Sequence, residues 1–300
     1  MNKPSPLKTT RESSTVMQFI LPAVVMLSLF VFIPIFQTVL MSFQQWLLSA
    51  SSKSHPFVGF KNYAAVFGLS QFKTMGYATI GYTVLCVAGK MILGLLVALL
   101  LNKKFVGRSI VRGLMLIPWA MPSVVVCNIF LIALDPNYGI LSGMISKLPF
   151  VKGPFQVFNG TSSAFAAVTI IGIWKNFPFI SLMLLAALGG IPQDYYDAAS
   201  IDGAGRFRQF THITWPQIRP IWNTLLILQI LWTVKEFELI YLITKGGPDN
   251  ATGVIGIDIY LNAFRFYKVG MACAEGVLLL VFCLIFSIIY FHKQNKEGAL

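Results

Sequence analysis

The residues best placed to do chemistry are charges in apolar company. Lys90, Lys175, Lys235, Glu236, Glu238 and Glu275 all sit inside long hydrophobic stretches. A charge at the centre of a bilayer costs at least ~2.5 kcal/mol on insertion scales, so such groups are expected to face protein or a wet cavity. Glu236, Glu238 and Lys175 could form an intramembrane relay of the kind that ion- or proton-coupled carriers use. The structural reading is that Lys235 and Glu238, three apart, pair on one helix. Lys90 and Glu275 lie toward the ends of their stretches, where long side chains snorkel. Polar-aromatic clusters at Trp119–Ser123, Trp174–Phe179 and Gln229–Glu236 share these stretches. Pro118, Pro122 and Pro178 free backbone groups there, which lipid tolerates only where neighbours or water satisfy them. Broken helices near the midplane line many transport paths, although rings more commonly just fill helix contacts.

Other chemistries find no support. The three histidines, His55, His212 and His292, fall in separate connecting pieces or ends, which gives no HExxH and no Ser–His–Asp grouping. Gly89-Lys90 is followed by Met91, and Val84 stands where a phosphate-binding loop needs its first glycine. The chain is therefore expected to hold no cofactor and to leave ATP-Mg, if used, to another polypeptide. Cys86, Cys127, Cys273 and Cys283 are embedded in apolar sequence without CxxC spacing, so neither a metal site nor a disulfide framework is expected.

These groups need apolar elements to hold them. The chain is 56% hydrophobic and 11% charged over 300 residues, too apolar for an ordinary soluble domain. Six segments, 18–43, 76–101, 113–134, 163–190, 221–243 and 270–291, each exceed the ~20 residues that a helix needs to cross ~30 Å of hydrocarbon. The expected fold is an all-α polytopic membrane protein with a 1–17 tail, a six-span domain over 18–291 and a 292–300 tail. Pro22 and Pro34 and the lack of an A-x-A site mark the first segment as a retained span. Basic residues outnumber acidic ones 23 to 11, in short pieces between spans, which fits membrane topology rather than nucleic acid. Lys3, Lys8, Arg11, Lys103, Lys104, Arg108, Arg112, Arg206, Arg208, Arg219, Lys293 and Lys296 form the denser set. Lys53, Lys61, Lys73, Lys147, Lys152, Lys245, Arg265 and Lys268 are spread over longer loops. The positive-inside rule then puts both termini and the 192–220 loop in the cytoplasm.

That loop is the longest stretch that is neither lipid-like nor a plain connector. A short helix over Tyr195–Asp202 follows Pro192, with Asp194 placed to accept free backbone N–H groups. Gly203 and Gly205 end it, both tolerating positive φ. A second short helix from Arg206 to Thr214 sets Phe207, Phe210 and Ile213 on one side, and Pro216 and Pro220 return the chain to apolar sequence. Such a ridge suits either a groove on another protein or the lipid headgroups.

The stretch DAASIDGAGRFRQFTHITWP resembles the EAA loop of ABC importer permeases, E-A-A-x-x-D-G-A, a spacer, then I-x-L-P. Ala198, Ala199, Asp202, Gly203, Ala204, Ile213 and Pro216 match, while Asp197 replaces Glu and Trp215 replaces Leu. FVGFKNYAAVF at 57–67, DPNYGIL at 135–141 and TKGGPDNAT at 244–252 are similar to outer-loop motifs of the sugar-importer, maltose-type branch, with Ser142 where Asn is common. The resemblance implies a type I ABC importer permease fold in a bacterial inner membrane. It also implies a second permease (a heterodimer), two ATPase subunits, an extracytoplasmic solute-binding protein and a sugar substrate. By the same resemblance, the loop docks on the ATPase through Asp197, Ala198, Ala199, Asp202, Gly203, Ala204, Phe207, Phe210, Ile213 and Pro216. Sugar contacts fall on Trp119, Ser123, Lys175, Asn176, Phe179, Gln229, Trp232, Thr233 and Glu236. That chemistry suits sugars, since rings pack on C–H faces and amide, hydroxyl or carboxylate groups bond hydroxyls.

Overall fold

A computed structural model of the protein describes residues 19–48, 55–148 and 156–297. The 1–17 tail, the end of the 292–300 tail, and Lys3, Lys8, Arg11, Lys53 and Lys152 lie outside the described residues, as do the side chains of Lys293 and Lys296. The described residues are helical, with two isolated β-bridges, Gln44 to Phe57 and Leu47 to Lys268, and no longer strand among them. In chain order the helices are α1 Phe19–Ser42, α2 Lys61–Gly68, α3 Ser70–Asn102, α4 Arg108–Ala120, α5 Ser123–Ala133 and α6 Ile140–Ser146. They continue as α7 Thr161–Gly189, α8 Gln193–Ile201, α9 Arg206–Gln209, α10 Trp215–Val234, α11 Glu238–Thr244, α12 Ile255–Tyr260 and α13 Val269–Glu297.

The six expected spans are not six continuous helices. Four, α1, α3, α7 and the Val269–His292 part of α13, are long and apolar enough to cross a membrane. The pair α4 and α5 makes a fifth if it counts as one span, and it is bent by 94°. Pro122 causes the bend: the residue before a proline is pushed out of the helical region, and Met121 sits at φ −72, ψ 137. The expected span at 221–243 is divided between α10 and α11 by a break at Lys235–Phe237.

Contacts divide the chain into two units, Met1–Gly68 with Ile259–Phe282, and Leu69–Asp258 with Cys283–Leu300. In the first unit, the end of α1 is fastened to the start of α13. Asn62 Nδ2 donates to the carbonyls of Ser42 (2.8 Å) and Gln44 (2.9 Å), both left over at the C-terminal end of α1. Tyr63 bonds Ser42 through its hydroxyl at 2.6 Å, and Phe43, Phe57 and Phe60 cluster beside it. Gly270 N–H reaches Trp46 O at 3.2 Å. The aromatic and amide positions of the 57–67 stretch thus finish the first helix.

The second unit is built on α3 and α7, which lie parallel. Gly81 faces Phe165, Gly89 faces Ile173, and Gly94 faces Ile180 and Ser181, so residue numbers climb together along the contact. A Cβ at Gly94 would lie 2.6 Å from the Ile180 side chain, and Ser181 Oγ donates to Gly94 O at 3.0 Å. Between helices in lipid, such close packing by small residues replaces water exclusion as the driving term. Because α3 and α7 run the same way, the 103–160 connection must bring the chain back along their full length. The helix α10 is antiparallel to both, with Ile218 packed in one cluster with Leu101 and Leu188, and Gln229 level with Lys90.

Candidate functional site

Two regions of the second unit collect the candidate residues. The first is the 192–220 loop, where α8 starts after Pro192 and ends at Ile201. Its end is a Schellman turn: Ala204 N–H reaches Ala199 O at 2.8 Å, Gly203 N–H reaches Ser200 O at 3.2 Å, and Gly203 has φ +75. Only Gly203 uses the left-handed region, since Gly205 is extended at φ −68, ψ 166. Asp194 sits in the first turn of α8 without capping it, and the N-cap residue Pro192 makes no side-chain cap bond. Its charge still suits the positive end of the helix.

The second limb is not a separate short helix. Arg206–Gln209 continues through a π turn, Phe210–Thr214, directly into α10, with helical backbone at every join. Trp215 N–H bonds Phe210 O, five residues back, and that wider turn accommodates Pro216, which can offer no N–H of its own. The limbs are tied by Gln209 Nε2, which donates to Ser200 Oγ (2.9 Å) and Ala204 O (3.1 Å). The hydroxyls of Tyr196 and Thr214 meet at 2.9 Å. Tip and helix therefore form one body.

The expected ridge divides. Phe207 is 81% exposed, but Phe210 and Ile213 are half-buried, and Phe210 packs on Trp215 with ring centroids 6.2 Å apart. The second exposed apolar group is Ile201, 87% exposed across the Gly203 turn from Phe207, and sequence spacing missed it. Asp197, Ala198, Asp202 and Pro216 are exposed, Ala199 and Ala204 half-buried, and Asp197 Oδ1 accepts from Gln193 Nε2 at 3.1 Å.

The second region lies midway along the helices. Trp119 of α4 stacks on Phe179 of α7 at 5.5 Å, and Phe179 meets Trp232 of α10 at 5.7 Å. Trp119 and Trp232 are 45% and 50% exposed, so the trio presents open ring faces. Ser123 begins α5, and Lys175 and Asn176 are half-buried, Asn176 Nδ2 donating to Gly172 O at 3.0 Å.

Gln229 and Thr233 are elsewhere. Both are buried, and their side-chain oxygens accept from Lys90 Nζ at 3.1 and 2.7 Å. Lys90 is 3% exposed, so it does not snorkel: it lies near the middle of the 76–101 stretch rather than toward its end, and the bonds to Gln229 and Thr233 hold it inside. Glu275 does not snorkel either, being fully buried and accepting from Asn262 Nδ2 at 2.8 Å. Lys235 and Glu238 do not share a helix, because Lys235 caps α10 and Glu238 starts α11. Glu236 lies in the break between them.

Beyond the break, the 244–252 turn is held by two threonines. Thr244 and Thr252 hydroxyls meet at 2.6 Å, and Thr252 Oγ1 donates to Gly247 O at 2.8 Å. The chain then folds back on α3, with Ile255 N–H bonded to Thr79 Oγ1 at 2.9 Å.

The family model "Binding-protein-dependent transport system inner membrane component" matches residues 90–296, and the chain belongs to that family. It is 35% identical over 283 residues to the trehalose/maltose transport system permease protein MalF of Thermococcus litoralis, covering 93% of each chain. It is 33% identical over 269 residues to the sulfoquinovosyl glycerol transport system permease protein SmoG of Agrobacterium fabrum, covering 90% of this chain and 86% of that one. Its fold is similar to a chain in the crystal structure of a bacterial ABC transporter that imports the acidic polysaccharide alginate, with TM-score 0.84, 23% identity, and 97% and 98% of the two chains covered. These likenesses lend no support to an ion-coupled carrier.

Proposed function

We propose that the chain is one permease of an ATP-driven sugar or oligosaccharide importer. It crosses a bacterial inner membrane six times with both termini cytoplasmic. A second, different permease, two ATPases that hold ATP-Mg, and an extracytoplasmic binding protein complete the machine. The observation that carries this reading is the loop tip, where Ile201 and Phe207 stand exposed on either side of Gly203 while the second limb runs unbroken into α10. An apolar tip on a stiff stem suits a groove on a soluble motor, and the stem bears Trp232. Six crossings follow if α4–α5 and α10–α11 each traverse once, as the parallel course of α3 and α7 requires of the first pair.

Trp119, Phe179 and Trp232, with Ser123, Lys175, Asn176 and Glu236 nearby in sequence or space, make up the sugar path. Gln229 and Thr233 support it from behind through Lys90. The names of the relatives, covering trehalose/maltose and sulfoquinovosyl glycerol, support the substrate class. The test is uptake of labelled sugars by the assembled complex in proteoliposomes. Uptake should need internal ATP and the binding protein and should survive collapse of ion gradients. Uptake driven by an ion gradient without ATP would overturn the reading.

A further inference from the structure

Lys90 is a cation with almost no exposure, yet the groups that hold it are neutral, Thr233 Oγ1 at 2.7 Å and Gln229 Oε1 at 3.1 Å. A buried charge keeps its cost down only while its hydrogen bonds stay made, so an intermediate position of α10 along α3 would leave Lys90 stranded. This contact therefore favours discrete registers over a continuous slide. The next carboxylate along the chain is Glu236, three residues past Thr233 and directly after Lys235. The two segments are antiparallel: Gln229 is level with Lys90, whereas Ile255 is level with Thr79. Chain beyond Thr233 thus lies nearer the start of α3. Moving α10 toward its own loop end by roughly 4–5 Å, three residues at ~1.5 Å each, would bring Glu236 level with Lys90.

The helix is interrupted there. Residues 235–237 carry no helix, and Gly256 packs against them, where a Cβ would lie 2.8 Å from Phe237 Cβ. Beyond it, α11 is tethered to α5, with Cys127 Sγ 3.7 Å from Leu239 O. The stem can move while α11 stays.

We propose that Lys90 is a positioning residue for translocation that exchanges partners, held by Thr233 and Gln229 in this conformation and by the Glu236 carboxylate after α10 shifts. The inference rests on reading the α8–α10 body as the piece that a motor moves. Its consequence is that Trp232, on the same helix, changes place relative to Trp119 and Phe179 in one step.

The test uses the complete assembly with Cys86, Cys127, Cys273 and Cys283 replaced by serine. Paired substitutions, Lys90→Cys with Gln229→Cys and Lys90→Cys with Glu236→Cys, are oxidised without nucleotide and with a non-hydrolysable ATP analogue. We expect each pair to cross-link in a different nucleotide state. Cross-linking of the Gln229 pair in both states, with none for the Glu236 pair, would overturn the exchange. In the otherwise native chain, Lys90→Met should lower kcat for uptake about tenfold or more with KM nearly unchanged, and Lys90→Arg should restore it. A rise in KM alone for Lys90→Met, with kcat unchanged, would make Lys90 a prop of the sugar path only and overturn the proposal. If wild-type uptake proves independent of ATP, the importer reading fails instead, whatever the cross-links show.

Discussion

Gly203 is the residue on which most depends at the smallest scale. Its φ of +75 and the bond from its N–H to Ser200 O are both denied to proline, so Gly203→Pro should leave the chain in the membrane and abolish uptake and ATPase co-purification. Gly203→Ala keeps the N–H and strains the turn by ~1–2 kcal/mol, and reduced but measurable uptake should remain. Ile201→Asp and Phe207→Asp should each weaken association with the ATPase roughly thirtyfold, the loss of a ~2 kcal/mol anchor, read by titrating solubilised complex. Normal association of both variants would show that the motor grips some other surface. Trp232→Ala should raise KM for sugar uptake roughly tenfold, whereas Gln229→Ala should lower the thermal stability of the purified chain by leaving Lys90 short of an acceptor. Asp258 gives a pH handle outside the spans, because burial raises its carboxyl pKa against a smaller opposing effect from the Gln71 amide. A raised carboxyl favours the folded state below the unfolded pKa and loses that advantage as pH climbs through the folded value. Asp258→Asn should therefore flatten the fall in melting temperature on moving from acid toward neutral pH.

At the scale of elements, local signals were legible and register was not. Gly203 and the proline breaks are decided by neighbours a few residues away, so their residue types announce them. The ends of α8 differ by a residue or two from expectation because the Schellman turn, rather than the last helix former, sets its stop. Phe210 and Ile213 looked like one face with Phe207, but the π turn shifts the register by a residue and brings Phe210 onto Trp215. A π turn has no sequence period of its own, and Pro216 after an apolar run was the available hint. Lys90 misled for another reason: its partners lie 139 and 143 residues away, and no spacing rule links them. The threonine pair of the 244–252 turn makes its own prediction. Thr252→Val removes two bonds at near-constant shape, so proteolysis should reach the 246–253 segment sooner.

At the scale of the molecule, spans of uneven polarity do different work. The continuous helices α3 and α7 pack in parallel through small residues and provide a frame. The broken ones, α4–α5 and α10–α11, end or start beside the rings Trp119 and Trp232 and the charges Lys235, Glu236 and Glu238, and α7 meets them with Pro178, Lys175 and Phe179. The loop belongs mechanically to the second of these, through the helix that runs from Arg206 to Val234. On the proposed reading, that stem joins a passive path to a foreign motor. The most direct measurement is a site-directed photo-cross-link from position 207 in intact membranes. We expect a product with a nucleotide-hydrolysing subunit, formed from the cytoplasmic side and lost in Gly203→Pro. Labelling of position 207 by an impermeant reagent added outside the cell, or cross-linking to lipid alone, would contradict the coupling of this loop to a motor.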